Sequence, residues 1–368
     1  MRILNIRHIQ TVLRLFHRIE KHFLNVIRLC YKYMVIMWRF YCGRCNIKYS
    51  DEEYIPYCIK CGGGLELLGE SPEPVNILGE GSTPLVRDEY RGFEVYFKLE
   101  YLNPSGSFKD RGVSYALYMA KELGYTGSVV DSSGNTGLST ALYSGRLGLE
   151  SYIVVPKAAS ESKKTLIRRV GGSLIETVTR DEAYVKAVEL SSKYYYVAHQ
   201  TNPFFLYGMK SIGYELVDIA RGRDIILPVS SGSLFLGLYR GLDESGVRNY
   251  RIICVQAVER ASLREYVKVY GSIGGDTSVY ADALLVKNPK RIDEIISIIK
   301  SIDGGVVLVG DKAIKEATME LHSMGYIVEP SSSVVWAAYK YLVDKGFVRD
   351  AILILTGSGL KYISFNNF

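Results

Sequence analysis

The sequence lacks several features that mark common enzyme and membrane classes. Beyond residue 37 it contains two histidines, His199 and His322, and nothing around them suggests the Ser–His–Asp set of a hydrolase. Each is expected to be a surface or helix-capping residue. The apolar runs near the N-terminus are too short and too charged for a transmembrane span or a secretory signal. The 368 residues leave room for two domains and a substantial core.

A net positive charge is absent from most of the chain. Residues 1–37 contain seven basic residues and one acidic residue, which accounts for the whole formal charge of +6. After residue 37, basic and acidic residues are equal in number. The remainder of the chain is therefore neutral, and its charge gives no argument for nucleic-acid binding.

Residues 1–37 form a basic extension whose apolar residues recur at helical spacing from Ile3 onward. A membrane-surface helix and an organellar transit peptide both fit this pattern, although the segment contains no serine, which weakens the transit interpretation. Because Met34 and Met37 stand just before the first recognisable module, we favour an over-extended start. We expect residues 1–36 to be dispensable.

Four cysteines follow with the spacing Cys42-x2-Cys45-x12-Cys58-x2-Cys61. This spacing is typical of a zinc ribbon, in which two tight turns each present two thiolates and complete a tetrahedral four-sulfur site. Such a site has no open position, so we expect a structural zinc ion in a module over residues 38–70. Two disulfides are the alternative, but no secretory signal supports an oxidising compartment.

Short apolar strands alternate with helical patterns from about residue 94 onward, which predicts an α/β architecture with parallel sheets. Strands are expected over residues 94–99, 129–130, 152–155, 174–178, 195–198, 225–229, 252–255, 306–309 and 352–355. Residues 259–300 are predicted to be a surface excursion that ends in a short helix over residues 291–300.

Three of these strands are followed by loops of small polar residues, with the sequences SSGNTG (132–137), SSGS (230–233) and TGSG (356–359). The first two loops precede helices, and the backbone N–H groups of a helix N-terminus bind carboxylate or phosphate. Ligands of open α/β sheets bind at the carboxyl ends of the strands. Taken singly, the loops at 132–137 and 230–233 also fit ordinary helix capping or a plain connection between strand and helix.

Lys109 lies in the stretch NPSGSFKDRG, residues 103–112, between small residues and before a helical pattern. A lysine in this setting can form a Schiff base with the aldehyde of a cofactor or substrate. By composition alone, an ordinary surface lysine after a turn is the simpler interpretation. The rest of the chain favours the reactive lysine.

Several stretches, taken in order, resemble the threonine synthases within the fold-type II family of pyridoxal-phosphate enzymes. They are LGEGSTPL (78–85), KLEYLNPSGSFKDRG (98–112), SSGNTG (132–137), NPFFLYGMKSIGYE (202–215), EPSSS (329–333) and TGSGLK (356–361). The resemblance covers about residues 38–362, and archaeal members also carry the cysteine module.

The resemblance implies an α/β fold of two open parallel-sheet domains with pyridoxal 5'-phosphate between them, preceded by the zinc ribbon. The large domain would comprise residues 71–112 and 206–368, and the small domain residues 113–205.

The resemblance also implies a role for each site residue. Lys109 would bind the cofactor covalently and then move protons at the α, β and γ carbons of the substrate. Phe108 would lie against the cofactor ring, Asn135 would bond its 3-hydroxyl, and Thr356 would sit at the pyridine nitrogen. The remaining roles are binding of the substrate carboxylate by Ser133 and Thr136, and binding of the cofactor phosphate by Ser230, Ser231, Gly232, Ser233 and Leu234.

The chain departs from the family pattern in two places. The phosphate loop carries more serine and less glycine than in relatives, so a serine held at positive φ would be strained by about 1 kcal/mol or more. Ser358 replaces the usual histidine of the terminal motif. Lys163, Lys164 and Arg168 are candidates for binding a substrate phosphate, but a solvated helix face explains them more simply.

The expected function is the conversion of O-phosphohomoserine and water to threonine and phosphate. The alternatives are a sister activity on the same scaffold, namely cysteate synthase acting on O-phosphoserine or a threonine or serine dehydratase, and a non-catalytic binding module. We expect a small phosphorylated amino acid as substrate, a homodimer by analogy with relatives, and a cytoplasmic location. Nucleic-acid and membrane partners are not expected.

Overall fold

A computed structural model describes residues 39–49, 54–68, 76–286 and 288–362, and the predicted basic extension lies outside this part. The described residues belong to two compact units. The smaller contains the residues up to Tyr54 and Glu66–Leu68, and the main unit contains Ile55–Leu65 and the chain from Asn76 onward. Within these ranges, no helix is both long enough and apolar enough to cross a membrane.

The smaller unit is an antiparallel sheet of three short strands, β1 (Arg39–Cys42), β2 (Ile47–Tyr49) and β3 (Glu66–Leu68). They are arranged in the order β2-β1-β3. The turn between β1 and β2 includes Asn46 at a φ of 54°, a conformation that asparagine tolerates better than most residues.

The main unit contains eleven described strands in two sheets. These are β4 (Leu85–Tyr90), β5 (Phe93–Lys98), β6 (Gly127–Val130), β7 (Glu150–Pro156), β8 (Ser173–Thr177), β9 (Tyr195–Tyr196), β10 (Asp224–Pro228), β11 (Arg251–Ala257), β12 (Val269–Ile273), β13 (Gly305–Val309) and β14 (Ala351–Ile354).

Seven strands form the larger sheet in the order β12-β13-β11-β10-β14-β5-β4, with every neighbouring pair parallel except β4 and β5. The central strands are buried almost throughout, as continuous apolar runs in a parallel sheet require. β12 lies in the predicted surface excursion, where no strand was expected. It is an edge strand in which only Tyr270 is buried, so it carries no apolar run to mark it.

Four strands form the second sheet in the order β8-β7-β6-β9, and all of its pairs are parallel. Its strands all lie between residues 127 and 196, inside the range predicted for a small domain. The two sheets, which are parallel apart from the β4–β5 pair, confirm the predicted α/β class. The boundary between two domains of the main unit stays a prediction.

The helices connect and cover these strands. They are α1 (Lys109–Glu122), α2 (Asn135–Leu147), α3 (Glu161–Arg169), α4 (Arg180–Leu190), α5 (Pro203–Met209), α6 (Ser211–Tyr214), α7 (Val217–Ala220), α8 (Ser233–Glu244), α9 (Ile292–Ser301), α10 (Asp311–Ser323) and α11 (Pro330–Asp344). The position of α9 confirms the short helix predicted there. α11 contributes Val334, Val335 and Trp336 to the core that includes Phe97 of β5 and Leu353 of β14.

A buried network of charges anchors the start of α1. Arg111 donates two hydrogen bonds of 2.7 Å to Glu100, and bonds of 2.5 and 2.8 Å to Glu215. Lys98 donates to Glu215 and to the carbonyl of Thr83, each at 2.6 Å. The side chains of Arg111 and Glu100 are fully buried. Because a buried charge is stable only while its partners remain, this network fixes α1 to the end of β5 and to the chain after α6.

Removal of the central cation should strongly destabilise the protein. Arg111→Met keeps most of the apolar length but leaves Glu100 buried without its counter-charge, so we expect the free energy of unfolding to fall by about 3–5 kcal/mol. Arg168→Met is the control, because Arg168 pairs with Glu161 where both side chains are largely exposed and such pairs contribute about 0–1 kcal/mol. Chemical denaturation measures the free energy of unfolding of both variants. Similar small losses in the two would contradict the anchoring role.

Candidate active site

Lys109 is the first residue of α1 and is held beside the loop that follows β14. The N–H of Phe108 donates to the carbonyl of Thr356 at 3.1 Å. The side-chain nitrogen of Lys109 lies 4.2 Å from the centroid of the Phe108 ring. Burial lowers the pKa of Lys109 to about 7, and the negative charge of Glu329 partly opposes this effect. A large fraction of the amine is therefore uncharged, and so nucleophilic, at neutral pH.

A cavity of about 300 Å³ lies beside Lys109, at the carboxyl ends of strands from both sheets of the main unit. It brings together all of the residues predicted to bind the cofactor or the substrate: Phe108, Lys109, Ser133, Asn135, Thr136, Ser230, Ser231, Gly232, Ser233, Leu234 and Thr356. The role of each residue stays a prediction. Their meeting in one space is what strand ends of open α/β sheets provide.

The loop after β10 contributes one part of this wall and leads into α8. Gly232, the residue before the helix, has a φ of +88°, and none of the three serines of the loop has a positive φ. The strain considered for a serine-rich loop therefore does not arise, because glycine occupies the one left-handed position. Ser231 and Ser233 are buried, with their Oγ atoms 3.5 Å apart.

Two ionic side chains next to Asn135, those of Glu329 and Lys361, were not predicted from the sequence. Lys361 donates to Oδ1 of Asn135 at 2.5 Å, and Nδ2 of Asn135 donates to the two oxygens of Glu329 at 3.0 and 3.2 Å. Glu329 and Lys361 are both buried, and Nζ of Lys361 lies 3.6 Å from Oε2 of Glu329. With Oδ1 occupied by the lysine, the amide presents its N–H groups to Glu329, which lines the cavity.

Glu329 fits at this place because Gly357 has no side chain. A Cβ atom on Gly357 would lie 2.4 Å from the carboxylate. Both ionic residues lie in stretches that carried the family resemblance, EPSSS and TGSGLK. Nothing in their local sequence marks them as neighbours of Asn135, since more than 190 residues separate each from it.

The prediction for His199 as a surface or capping residue is wrong. His199 lines the cavity and is half-buried, with its ring centroid 6.3 Å from that of Phe205. Burial, and secondarily the charge of Lys109, lower the pKa of His199 to about 3, so the ring is neutral at neutral pH. His322, in contrast, is exposed in the last turn of α10, as expected.

The four cysteines of the predicted zinc module lie on two turns. Cys42 ends β1 and Cys45 lies in the turn that follows it. Cys58 and Cys61 lie on a second turn, closed by a 2.8 Å hydrogen bond from the N–H of Gly62 to the carbonyl of Cys58. In each turn two cysteines stand at the Cys-x2-Cys spacing that presents two thiolates to a metal ion.

Gly232 should be more sensitive to substitution than a second glycine that flanks α8. Gly232→Ala forces a side chain into a left-handed position and places its Cβ 2.2 Å from Cδ1 of the buried Ile295. Gly246, just after α8, has a φ of +70° and open space around it, so Gly246→Ala loses only about 1 kcal/mol of conformational energy. We expect Gly232→Ala to weaken the binding of pyridoxal phosphate at least about tenfold and Gly246→Ala to leave it unchanged.

Spectroscopic titration of the apoproteins with pyridoxal phosphate measures this difference, and denaturation of the same samples measures the loss of stability. Equal cofactor affinities in the two variants would contradict a role for the Gly232 backbone in the site.

The chain matches the family described as pyridoxal-phosphate dependent enzyme over residues 77–357. It is 27% identical to the threonine synthase of Methanosarcina acetivorans, with 88% of this chain and 92% of the relative covered. It is 28% identical to the threonine synthase of Methanocaldococcus jannaschii, covering 87% and 92%. The structure of maize serine racemase superimposes with a TM-score of 0.65 at 22% identity, over 77% of this chain and 89% of that one. The chain therefore belongs to the family of pyridoxal-phosphate-dependent enzymes and has the fold of its fold-type II members.

Proposed function

We propose that the protein is a pyridoxal-phosphate-dependent lyase that converts O-phosphohomoserine and water to threonine and phosphate. The observation that carries the proposal is the position of Lys109, an amine with a near-neutral pKa in the same cavity as two loops suited to anions. The likeness to two threonine synthases over nearly the whole chain supports this choice of substrate.

The residues of the cavity fit pyridoxal phosphate. The uncharged amine of Lys109 can bond to its aldehyde carbon. The start of α8, with the hydroxyl groups of Ser231 and Ser233, offers hydrogen-bond donors to its phosphate. Asn135 would donate to the ring hydroxyl in place of Glu329, which accepts from its amide nitrogen in this structure. Thr356 offers a neutral hydroxyl to the ring nitrogen. When bound, the cofactor supplies an acceptor for the electron pair left when a C–H bond of the substrate breaks.

Lys109 is the group placed to move protons. Its neutral form can remove the proton from the α carbon and, once that proton has passed on to the departing phosphate, one from the β carbon. Its protonated form can then return a proton at the γ carbon. It can finally take the proton released by the attacking water and return a proton to the α carbon. Phosphate leaves with the electron pair of the Cγ–O bond, and water supplies the hydroxyl group that joins the β carbon. No oxidation or reduction accompanies the overall reaction.

The substrate would be oriented by the loop that leads into α2. Ser133 and Thr136 lie at the N-terminus of this helix, where backbone N–H groups and the helix dipole favour a carboxylate. Binding the carboxylate there directs the α carbon toward the interior of the cavity that contains Lys109. The neutral ring of His199 adds no second positive charge beside the amine.

The purified protein should show the visible absorbance of lysine-bound pyridoxal phosphate and should release phosphate from O-phosphohomoserine with threonine as the product. Lys109→Ala should lose the absorbance band and lower turnover about a thousandfold or more. Lys121→Ala is the control, because Lys121 lies on the same helix, exposed and bonded to the carbonyl of Leu147. Full turnover by Lys109→Ala would rule out the proposed role.

The same assay should be run with O-phosphoserine, serine and threonine as substrates. Phosphate release from O-phosphoserine in the presence of sulfite, without release from O-phosphohomoserine, would indicate a cysteate synthase-like activity. Ammonia release from serine or threonine would indicate a dehydratase. Absence of the absorbance band after reconstitution with pyridoxal phosphate would favour a binding module.

We also propose that Cys42, Cys45, Cys58 and Cys61 bind one structural zinc ion. The Cys-x2-Cys spacing within each of the two turns supports this proposal. Elemental analysis should find one equivalent of zinc per chain, and Cys58→Ser should lose it. Cys254→Ala, which alters a cysteine buried in β11, should retain it. One equivalent of iron in place of zinc would contradict the assignment.

A further inference from the structure

We propose that Lys163 and Arg180 form the subsite that recognises the phosphate group of the substrate. This inference rests on the proposed function, because it names the residues that would select a phosphorylated amino acid. It concerns the wall of the cavity contributed by α3 and α4.

Among the described residues that line the cavity, the lysine and arginine side chains are few. They are Lys109, Lys163 and Arg180. Lys109 is assigned to the cofactor aldehyde, and its lowered pKa leaves it only partly charged at neutral pH. A phosphate dianion that enters the cavity therefore has Lys163 and Arg180 as its cationic partners.

The structure separates Lys163 from the two neighbouring basic residues that the sequence also suggested. Lys164 is buried and donates to the carbonyl of Lys157 at 2.8 Å, and it pairs with Glu176 at 3.0 Å. Arg168 pairs with Glu161 at 2.8 Å. Neither Lys164 nor Arg168 lines the cavity, whereas Lys163 does. The simpler interpretation, a solvated helix face, applies to Arg168 but not to Lys163.

Lys163 is held at the cavity wall by an ion pair that a phosphate can replace. Its nitrogen lies 2.5 Å from a carboxylate oxygen of Asp282, in the short 3-10 turn Asp282–Leu284. The side chain of Asp282 is 41% exposed, and that of Lys163 is 15% exposed. Because water screens an exposed carboxylate, this pair is weak, and a phosphate with up to two negative charges competes with it effectively.

Arg180 is the first residue of α4 and is exposed at the cavity. It forms no ion pair with another residue in the described part of the chain. The cap of α4 is supplied instead by Thr179, whose hydroxyl oxygen accepts from the N–H of Glu182 at 3.1 Å. The guanidinium group of Arg180 is thus available, and its planar fork matches two phosphate oxygens.

The acidic residues of the cavity do not neutralise this subsite. Glu329 is engaged by Asn135 and by the charge of Lys361. The carboxylate of Asp131 accepts a 2.8 Å hydrogen bond from the hydroxyl of Tyr196. Asp282 is the remaining described acid of the lining, and it is the carboxylate that phosphate would displace.

The test compares two non-reacting probes on the holoenzyme. They are 2-amino-5-phosphonopentanoate, which carries a phosphonate, and norvaline, which has the same carbon chain without it. Lys163→Met and Arg180→Met should each weaken the phosphonate probe about 10- to 100-fold and leave norvaline binding unchanged. Arg168→Met, a basic residue outside the cavity, should change neither. Calorimetry measures the affinities.

Asp282→Asn should have the opposite effect on the affinity for the phosphonate probe. It removes the competing carboxylate, so the phosphonate probe should bind severalfold more tightly while norvaline is unaffected. In steady-state assays with O-phosphohomoserine, Lys163→Met should raise KM with a much smaller change in kcat, and Lys163→Arg should recover most of the loss.

The proposal is wrong if both probes weaken together, if neither weakens, or if Asp282→Asn weakens the phosphonate probe. These outcomes are separate from failure of the proposed function. A protein that does not convert O-phosphohomoserine, yet binds the phosphonate probe through Lys163 and Arg180, retains the subsite for another phosphorylated amino acid. A protein that releases threonine but shows no effect of Lys163→Met and Arg180→Met would support the proposed function and contradict the proposed subsite.

Discussion

The position of Lys109 depends on the buried ion pair between Arg111 and Glu100. Arg111 lies half a turn along α1 from the lysine, and its guanidinium also bonds Glu215. These charges can remain buried only while all of their hydrogen bonds are made, so a shift of the helix start would strand a charge in the core. Because any shift would leave a buried charge without its partner, the network fixes the position of the Lys109 amine.

The parts of the site that could be predicted from the sequence are those that the chain presents at strand ends. The loops at Ser133 and Ser231, and Thr356 after β14, each follow a short apolar strand. Because parallel strands place their carboxyl ends at one edge of a sheet, three such loops, separated in sequence, converge on one cavity. The alternation of strands and helices fixed the α/β class for the same reason.

The parts that could not be predicted depend on contacts between distant stretches. Glu329 and Lys361 meet Asn135 only after the whole sheet has formed. His199 follows a two-residue strand, and no local pattern distinguishes it from a surface histidine. β12 has no sequence signal, because an edge strand with one buried side chain has neither a continuous apolar run nor a clear alternation.

Charge is distributed through the cavity according to exposure to water. Burial lowers the pKa values of Lys109 and His199, so that at neutral pH the amine is partly neutral and the imidazole is neutral. A neutral amine can accept a proton, whereas a group that binds an anion must keep its positive charge. Arg180, proposed above to bind phosphate, lies where water reaches it. Lys163 is little exposed and pairs with the carboxylate of Asp282. The buried part of the cavity thus suits the proposed proton transfer, and the exposed part suits the proposed recognition of a charged substrate.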